Sequence, residues 1–472
     1  MSTHPLTRLR TAMGLSQPEY ARLVARTHAA LGHGQMAARR EKVSRWESGL
    51  VVPGHTTQLA MAHIHNVPFR EIHRLGWPHW LYLATGDAVL LNRSFTDDAA
   101  VSALHSTVRS PGAVRATELL VRGPALRGQL RSALARLDGR GRDEPSRGEP
   151  GRGGSGPPDD GAAGSGRGDG PDGDDGQRSA WARARIAALE QHCGAGLFPL
   201  TALYTAAHGE HRLAVRALTA KGPGPAHRRA FVLAARTAVL CSWFSSALHE
   251  DVRAERHALA AVRAAAAAGH HDLLVQALTN LAHCHVMAGE PADGHTVVRA
   301  ARAVHGSEPP GAGGATVLLH VTEAVALARL NRPADAVRSL GRAGAAAATG
   351  AEGPVAGYCP RRALLVGHAL TSRYLDRPRA AAPYLDALVG PSAPAAESAP
   401  CAFTGRLLIT KVETHLALDE LGRAVDTVHH AVDLLGTVPA TLAHRYRQHL
   451  APHSRNPAVR AVLDRLHTPA TP

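Results

Sequence analysis

A short basic run near the amino terminus carries the side chains with the clearest capacity for chemistry, REKVSRW at residues 40–46. On a helix, Val43 and Trp46 share one face because they are three residues apart, and apolar side chains tend to bury that face. The opposite face then carries the polar and charged side chains Arg40, Glu41, Ser44 and Arg45, and the cation Lys42 lies beside them. Arginine can bind a guanine edge through two hydrogen bonds, glutamate can accept one from cytosine, and Arg45 or Lys42 can reach a phosphate. These residue types predict a face that binds double-stranded DNA.

Such a face needs neighbouring helices to hold it, and the surrounding sequence carries helix signals. Ser16, with Glu19 three residues later, predicts an N-cap and a capping box. Gly49 marks the end of the basic helix, and an apolar segment near Leu59 predicts a further helix. The alternative interpretation is that the run only ends a helix and that its charges form a solvated face.

Three strings in this region, GLSQPEYARLV, VSRWESGLVVP and LAMAHIHNV, follow one another in an order typical of a known family. The region resembles the XRE family of helix-turn-helix regulators, which is related to phage Cro and repressor proteins. The resemblance implies a DNA-binding domain of four or five helices over residues 1–90, in which Gln17 contacts a DNA phosphate. The segment between Val24 and Val43 is longer than the turn of phage repressors and is similar to that of some actinobacterial regulators of this family.

A tryptophan pair follows the basic region in the string GWPHWL at residues 76–81, which also resembles the actinobacterial group. Tryptophan favours cores and interfaces. Trp77 and Trp80 are therefore predicted to form a packing plug or a dimer contact rather than a ligand-binding box.

The composition of the 472-residue chain limits its class. This length predicts more than one folded unit, and the formal net charge of +14 favours a polyanionic partner. Aromatic residues make up only 4% of the chain, which favours an all-α fold. The five cysteines are widely spaced and predict neither a disulfide framework nor a zinc site. With no apparent secretion signal or membrane-spanning run, we expect a cytoplasmic, nucleoid-associated protein that does not contact a membrane.

The composition changes sharply over residues 140–178, where glycine, proline, aspartate and arginine dominate. Such a segment lacks the apolar side chains that bury a core, so it predicts a disordered tether. The tether is expected to divide the chain into a helix-turn-helix domain at 1–90, a helical connector at 91–139 and a helical domain at 179–470.

Similar interhelix turns recur in the carboxy-terminal region. Pro291, Pro333, Pro378 and Leu421 occupy matching offsets in these turns, at intervals of about 43 residues. This self-similarity predicts stacked helix-turn-helix repeats that form a solenoid. The clearest repeat, over residues 278–301, resembles the tetratricopeptide repeat.

The tetratricopeptide resemblance implies that the first helix of each pair lines a concave face. In the clearest repeat, the polar positions on this helix are Gln276, Thr279 and His283, whose side chains can bond a peptide backbone. They are predicted to bind a peptide, a small molecule or a protein partner. The alternative is that they form only the solvated side of an amphipathic helix.

Motifs for catalysis are not found. His249-Glu250 lacks the second histidine of a zinc protease motif, and His283 and His285 diverge on a helix, so neither predicts a metal site. We expect no enzyme, no cofactor and no metal. The sequence predicts a homodimeric, sequence-specific transcriptional regulator with a sensing domain. The alternative function is a helical-repeat interaction scaffold whose DNA-binding domain is vestigial or non-specific.

Overall fold

The computed structural model is helical, with no strand among the residues that it describes, which confirms the all-α prediction. The described residues are 4–65, 67, 69–78, 80, 81, 84, 90, 95–109, 119, 121–143, 171–195, 200–220, 224–305, 313–348, 360–389, 404–435, 438 and 440–466.

The amino-terminal helices are α1 (Pro5–Ala12), α2 (Gln17–Ala30), α3 (Arg40–Glu47), α4 (His55–Ile64) and α5 (Phe69–Leu75). α3 packs on α1 and α2, α4 packs on α2, and α5 packs on α4. Their apolar side chains share one core whose buried members run from Leu6 to Ala84. Trp80 is fully buried in this core and donates from Nε1 to Gln58 Oε1 at 3.0 Å. Trp77 lies edge-on to Trp80, with ring centroids 6.0 Å apart, so both tryptophans take part in packing.

The next helices are α6 (Asp97–Arg109), α7 (Gly123–Asp143), α8 (Pro171–Ala195) and α9 (Leu200–Thr219). α6 begins after Thr96, whose hydroxyl accepts the Ala99 N–H at 3.2 Å, as an N-cap residue does.

Helical hairpins follow in chain order. Their helices are α10 (Pro225–Ala247), α11 (Asp251–Ala268), α12 (His271–Ala288), α13 (Pro291–His305), α14 (Gly313–Arg329), α15 (Pro333–Ala348), α16 (Pro360–Tyr374), α17 (Pro378–Val389), α18 (Thr404–Ala417) and α19 (Leu421–Leu435). The last described helices are α20 (Ala440–Leu450), a short 3-10 turn (Ala451–His453) and α21 (Pro457–Arg465).

The two helices of each hairpin are joined by the same tight turn. After each turn a backbone N–H donates to the carbonyl five residues earlier at 2.9 Å, for example from Glu290 to His285. The residue before that donor is left-handed in every hairpin, with φ between 54° and 100°: His249, Gly289, Asn331, Asp376 and Asp419. This is a Schellman C-cap, after which the second helix begins at once. The later turns are those that the sequence predicts. The turn at His249 carries no glycine, asparagine or aspartate and was missed.

The first helices of the hairpins pack in a row in the order α10, α12, α14, α16 and α18, and α18 also packs on α10. Arg406 of α18 donates from Nε to the Ser246 carbonyl at 2.8 Å and pairs with Asp251. Thr441 of α20 donates to the Leu248 carbonyl at 2.8 Å. The row of first helices therefore returns to its own beginning. We call α6–α21 the hairpin body.

In the region expected to be a helical connector, 91–139, the described helices α6 and α7 pack against the hairpins. α6 packs on α9 and α11, and α7 packs on α11 and α13. Arg263 of α11 donates to the Leu90 carbonyl at 2.9 Å and to Gln129 Oε1 at 2.6 Å. The physical reason is that α6 and α7 each carry an apolar face, including Leu104 and Leu130, which the hairpins bury.

Both neighbouring helices extend into the predicted tether at 140–178, because α7 continues to Asp143 and α8 begins at Pro171. The remaining residues, 144–170, lie outside the described part of the chain. α8 packs on α9 and α10, with Ile186 in the core that the hairpins share. Since both flanks pack in the hairpin body, the segment interrupts that body rather than joining it to the amino-terminal helices.

One described helix, α10, is long and apolar enough to cross a membrane by length and composition alone. Of its most apolar window, 83% is buried inside the protein. A core helix passes the same test, so this finding is weak evidence for a membrane span.

Candidate nucleic-acid interface

Helix α3 presents the polar face that its sequence predicts. Val43 and Trp46 are buried, at 0% and 5% exposure, and point toward the amino-terminal core. On the other side, Lys42 is half-buried. The side chains beside it are exposed: Arg40, Glu41, Ser44 and Arg45. The exposed face therefore combines hydrogen-bond donors for guanine or phosphate with an acceptor for cytosine.

A buried ion pair fixes α3 on the helices before it. Arg10 of α1 donates from Nε to Glu47 Oε1 at 2.6 Å, and their side chains are only 12% and 7% exposed. Arg10 also donates to the Leu15 carbonyl at 2.7 Å, which ties the end of α1 to the start of α2. Sequence patterns do not predict this pair, because nothing local links two residues 37 positions apart. Its effect is to set the orientation of the exposed face.

Gln17 takes part in the same network. Its Nε2 donates to Glu47 Oε2 at 2.7 Å, and the side chain is half-buried. One amide hydrogen is therefore used inside the protein, and Gln17 positions α3 against α2. The phosphate contact stays a prediction that depends on the second amide hydrogen.

The start of α2 is held by its own residues. The Ser16 N–H and hydroxyl both donate to a Glu19 carboxylate oxygen, at 2.7 and 2.6 Å. The hydrogen bonds from Ser16 lower the pKa of Glu19, so the carboxylate stays charged at the positive end of the helix.

The long segment between α2 and α3 has a defined path. α2 runs to Ala30, and residues 31–39 lead directly to α3. His28 is buried, with Nδ1 2.9 Å from the Gly34 carbonyl and Nε2 3.0 Å from the Thr56 hydroxyl. This histidine therefore ties the segment to the start of α4. The extra length of the segment is accommodated without displacing Val43 and Trp46 from the core.

A second buried contact locks α2 to α4. The Tyr20 hydroxyl lies 2.7 Å from His65 Nε2. Burial lowers the pKa of His65 to about 4 and raises the pKa of Tyr20, so both groups are neutral near pH 7. The scaffold behind α3 thus stays uncharged at this contact.

The side chains predicted to line a ligand groove do not lie together on an open face. Thr279 is 4% exposed, and its hydroxyl donates to the Val275 carbonyl of its own helix at 2.8 Å. The His283 ring lies 6.0 Å from the Trp243 ring, and burial, with Arg406 nearby, lowers the pKa of His283 to about 3. Gln276 is half-buried. The closed row of first helices explains this difference, because neighbouring helices cover the face that an open solenoid would expose.

Three histidines lie close together where α6 and α9 meet the hairpins: His211 and His257 are buried and His208 is half-buried. No sequence pattern predicts this group. His211 bonds the Thr107 hydroxyl through Nε2 at 2.8 Å and the Thr237 hydroxyl through Nδ1 at 3.0 Å. The His257 and His208 rings lie 5.6 and 6.4 Å from the His211 ring. Within the described part of the chain, no group of three or more histidine, cysteine, aspartate or glutamate side chains can hold a metal ion. We therefore interpret these histidines as polar packing between helices.

No protein-family model matches this chain. A search of curated proteins finds no significant match.

Proposed function

We propose that this protein is a cytoplasmic, nucleoid-associated, sequence-specific transcriptional regulator rather than an enzyme. In this proposal α3 enters the major groove of double-stranded DNA, and the hairpin body, as a tetratricopeptide-like solenoid, senses an effector. The effector is a peptide, a small molecule or a protein partner. The resemblance of residues 1–90 to XRE regulators supports the first part.

The observation that carries the proposal is the exposed face of α3 on a rigid scaffold. Arg40 and Arg45 are exposed and lie on a helix whose orientation is fixed by the buried pair of Arg10 and Glu47. A functional face held by locked side chains keeps its geometry during binding. A merely solvated helix surface needs no such support.

The test is to select bound fragments from genomic DNA with the full-length protein and to measure affinity for the enriched site by gel shift. Each of Arg40→Ala and Arg45→Ala is expected to weaken specific binding by roughly 1–3 kcal/mol, since a bidentate base contact is lost. Arg460→Ala is the matched control, because Arg460 is exposed on α21 and the charge change is the same. Equal affinities for all three variants and the wild type would disprove the assignment of α3.

The same selection distinguishes the proposed regulator from the alternative function. An interaction scaffold with a vestigial or non-specific domain is expected to return fragments without a common site. A shared site with twofold symmetry is expected for the regulator, because paired half-sites supply the contact area that one small module lacks.

The homodimer belongs to this proposal. Directly after α3, the apolar side chains of Leu50 and Val52 are 78% and 62% exposed, and a second copy of the chain would cover them. Leu50→Ser with Val52→Ser is expected to shift the mass measured by light scattering from dimer to monomer. A wild-type monomer with and without its DNA site would refute the dimer.

A further inference from the structure

A pocket of about 410 Å³ opens between α15 and α16, away from the predicted groove. Its volume lies in the range of about 300–1,000 Å³ that is typical of small-molecule sites. The side chains of Val337, Leu340 and Leu375 give it an apolar wall. The pocket lies between two successive hairpins, at the contact of the second helix of one, α15, with the first helix of the next, α16.

Two glycines keep this pocket open. Gly341 and Gly344 of α15 both line it, and a Cβ added at either position would meet no atom within 4 Å. Glycine inside a helix is less stable than alanine, so these positions are unfavourable for the helix itself. The space that they leave is not used for packing within the described part of the chain.

A buried hydroxyl points to a ligand in this space. Thr371 of α16 lines the pocket and is 3% exposed, yet its hydroxyl has no hydrogen-bond partner in the described part of the chain. Other buried helical threonines donate to the carbonyl four residues earlier, as Thr410 does to Arg406 at 3.0 Å and Thr414 to Thr410 at 2.7 Å. A buried hydroxyl without a partner is unfavourable. A ligand oxygen would satisfy it.

The charge of the pocket is positive. Arg377 is exposed at its edge and is the only charged side chain among the lining residues that the structure describes. His368 of α16 also lines the pocket, and its ring stacks on that of Tyr384 with centroids 5.0 Å apart. Burial lowers the pKa of His368, so this ring adds no charge near pH 7.

We propose that this pocket binds a small organic anion with an apolar body, of the kind that a medium-chain carboxylate represents. The apolar chain lies against Leu340 and Val337, over the two glycines. The carboxylate pairs with Arg377, and Thr371 donates to a ligand oxygen. Binding at this site is independent of the proposed DNA binding, so either can fail without the other.

The experiment is isothermal titration of the full-length protein with decanoate and with 4-phenylbutyrate, and with decanol as the neutral analogue of decanoate. Saturable binding with one site per chain is expected for at least one of the two carboxylates. Gly341→Leu fills the space and is expected to abolish binding, whereas Gly422→Leu, at an exposed helical glycine outside the pocket, is the matched control and is expected to bind normally. Both variants replace glycine by a better helix former, so thermal unfolding should show that they fold.

Two further variants test the polar contacts. Arg377→Gln is expected to weaken carboxylate binding about fivefold, as an exposed ion pair does, without changing the affinity for decanol. Thr371→Val is expected to weaken carboxylate binding about fivefold while the protein stays as stable as the wild type or more so. Absence of saturable binding of both carboxylates to the wild type, or equal binding to Gly341→Leu, would overturn the proposal.

Discussion

Charged side chains have different roles on the exposed face of α3 and at the helix joints of the hairpin body. On α3, Arg40 and Arg45 are exposed, and the buried pair of Arg10 and Glu47 serves to hold that helix. At the joints of the hairpin body, some arginine and glutamate side chains lie inside: Arg263 is 1% exposed and Glu323 is 3% exposed. Exposed charges are available to a partner, whereas buried charges are committed to the joints between helices.

Glu323 shows how such a joint is made. Its carboxylate on α14 accepts from Arg302 of α13 at 3.0 Å, from Arg342 of α15 at 2.9 Å and from Ser339 at 2.7 Å. Burial alone would raise its pKa, but hydrogen bonds from His320 and Ser339 and the two arginines lower it to about 2. The surface of an arginine-rich chain is therefore not uniformly available to polyanions, because part of its charge is structural.

Arg263→Met should have the largest effect on stability. The guanidinium bonds the Leu90 carbonyl and Gln129 and lies 4.5 Å from the centre of the Phe95 ring. The Leu90 carbonyl keeps a longer hydrogen bond from Gln129 Nε2 at 3.3 Å, but both guanidinium hydrogen bonds and the ring contact inside the core are lost. We therefore expect the free energy of unfolding of the body to fall by about 3 kcal/mol.

Urea unfolding followed by circular dichroism measures this change, and Arg460→Met at an exposed position is the matched control. If Arg263→Met is as stable as Arg460→Met, the packing of α7 on α11 does not depend on this arginine.

Glu47→Gln tests the buried pair in the amino-terminal helices. The substitution keeps the shape but removes the charge that Arg10 faces, so a nearly buried guanidinium loses its counter-ion. We expect a loss of about 2–3 kcal/mol in the stability of these helices and weaker DNA binding. The double variant Arg10→Met with Glu47→Met should recover part of the stability but not the DNA affinity. Equal DNA affinity for Glu47→Gln and the wild type would show that the pair does not position α3.

Acid should destabilise the hairpin body through its buried histidines, as it should the amino-terminal helices through His65. Burial lowers the pKa of His211 to about 3, with a smaller contribution from His208, whereas the unfolded chain binds the proton near pH 6.5. The neutral buried ring therefore stabilises the fold fully above pH 6.5, and this contribution is lost as the pH falls toward 3. At pH 5 the loss is about 2 kcal/mol for this residue.

The measurement is the free energy of unfolding of the wild type and His211→Gln at pH 7 and pH 5. The variant should have a smaller free energy of unfolding than the wild type at pH 7, but this free energy should fall less between pH 7 and pH 5. His257 also has a lowered pKa and stays in both proteins, so a residual slope is expected in each. Parallel slopes for the two proteins would mean that His211 does not titrate as this environment requires.

Local patterns in the sequence predict the local features of this molecule. The spacing of Val43 and Trp46 predicts the buried side of α3, and the matching offsets of Pro291 and Pro333 predict two of the repeated turns, because each depends on nearby residues. The same patterns give no information about Arg263 and Leu90, which are 173 positions apart, since that contact exists only once the helices have packed. They also place Thr279 on a polar face without showing that neighbouring helices cover it.

The smallest effect is expected from the segment between α7 and α8. Among residues 144–170 the apolar side chains, apart from proline, are Ala162 and Ala163, so the segment has little to bury on folding. Replacing these residues with an equally long glycine-serine segment should change the stability of the hairpin body by less than about 0.5 kcal/mol. Ile186→Ala, which truncates a side chain of α8 that is 1% exposed, is the positive control and should cost about 2–4 kcal/mol. A replacement that destabilises the body as much as Ile186→Ala would show that the segment packs against it, and that its composition is a poor guide to its role.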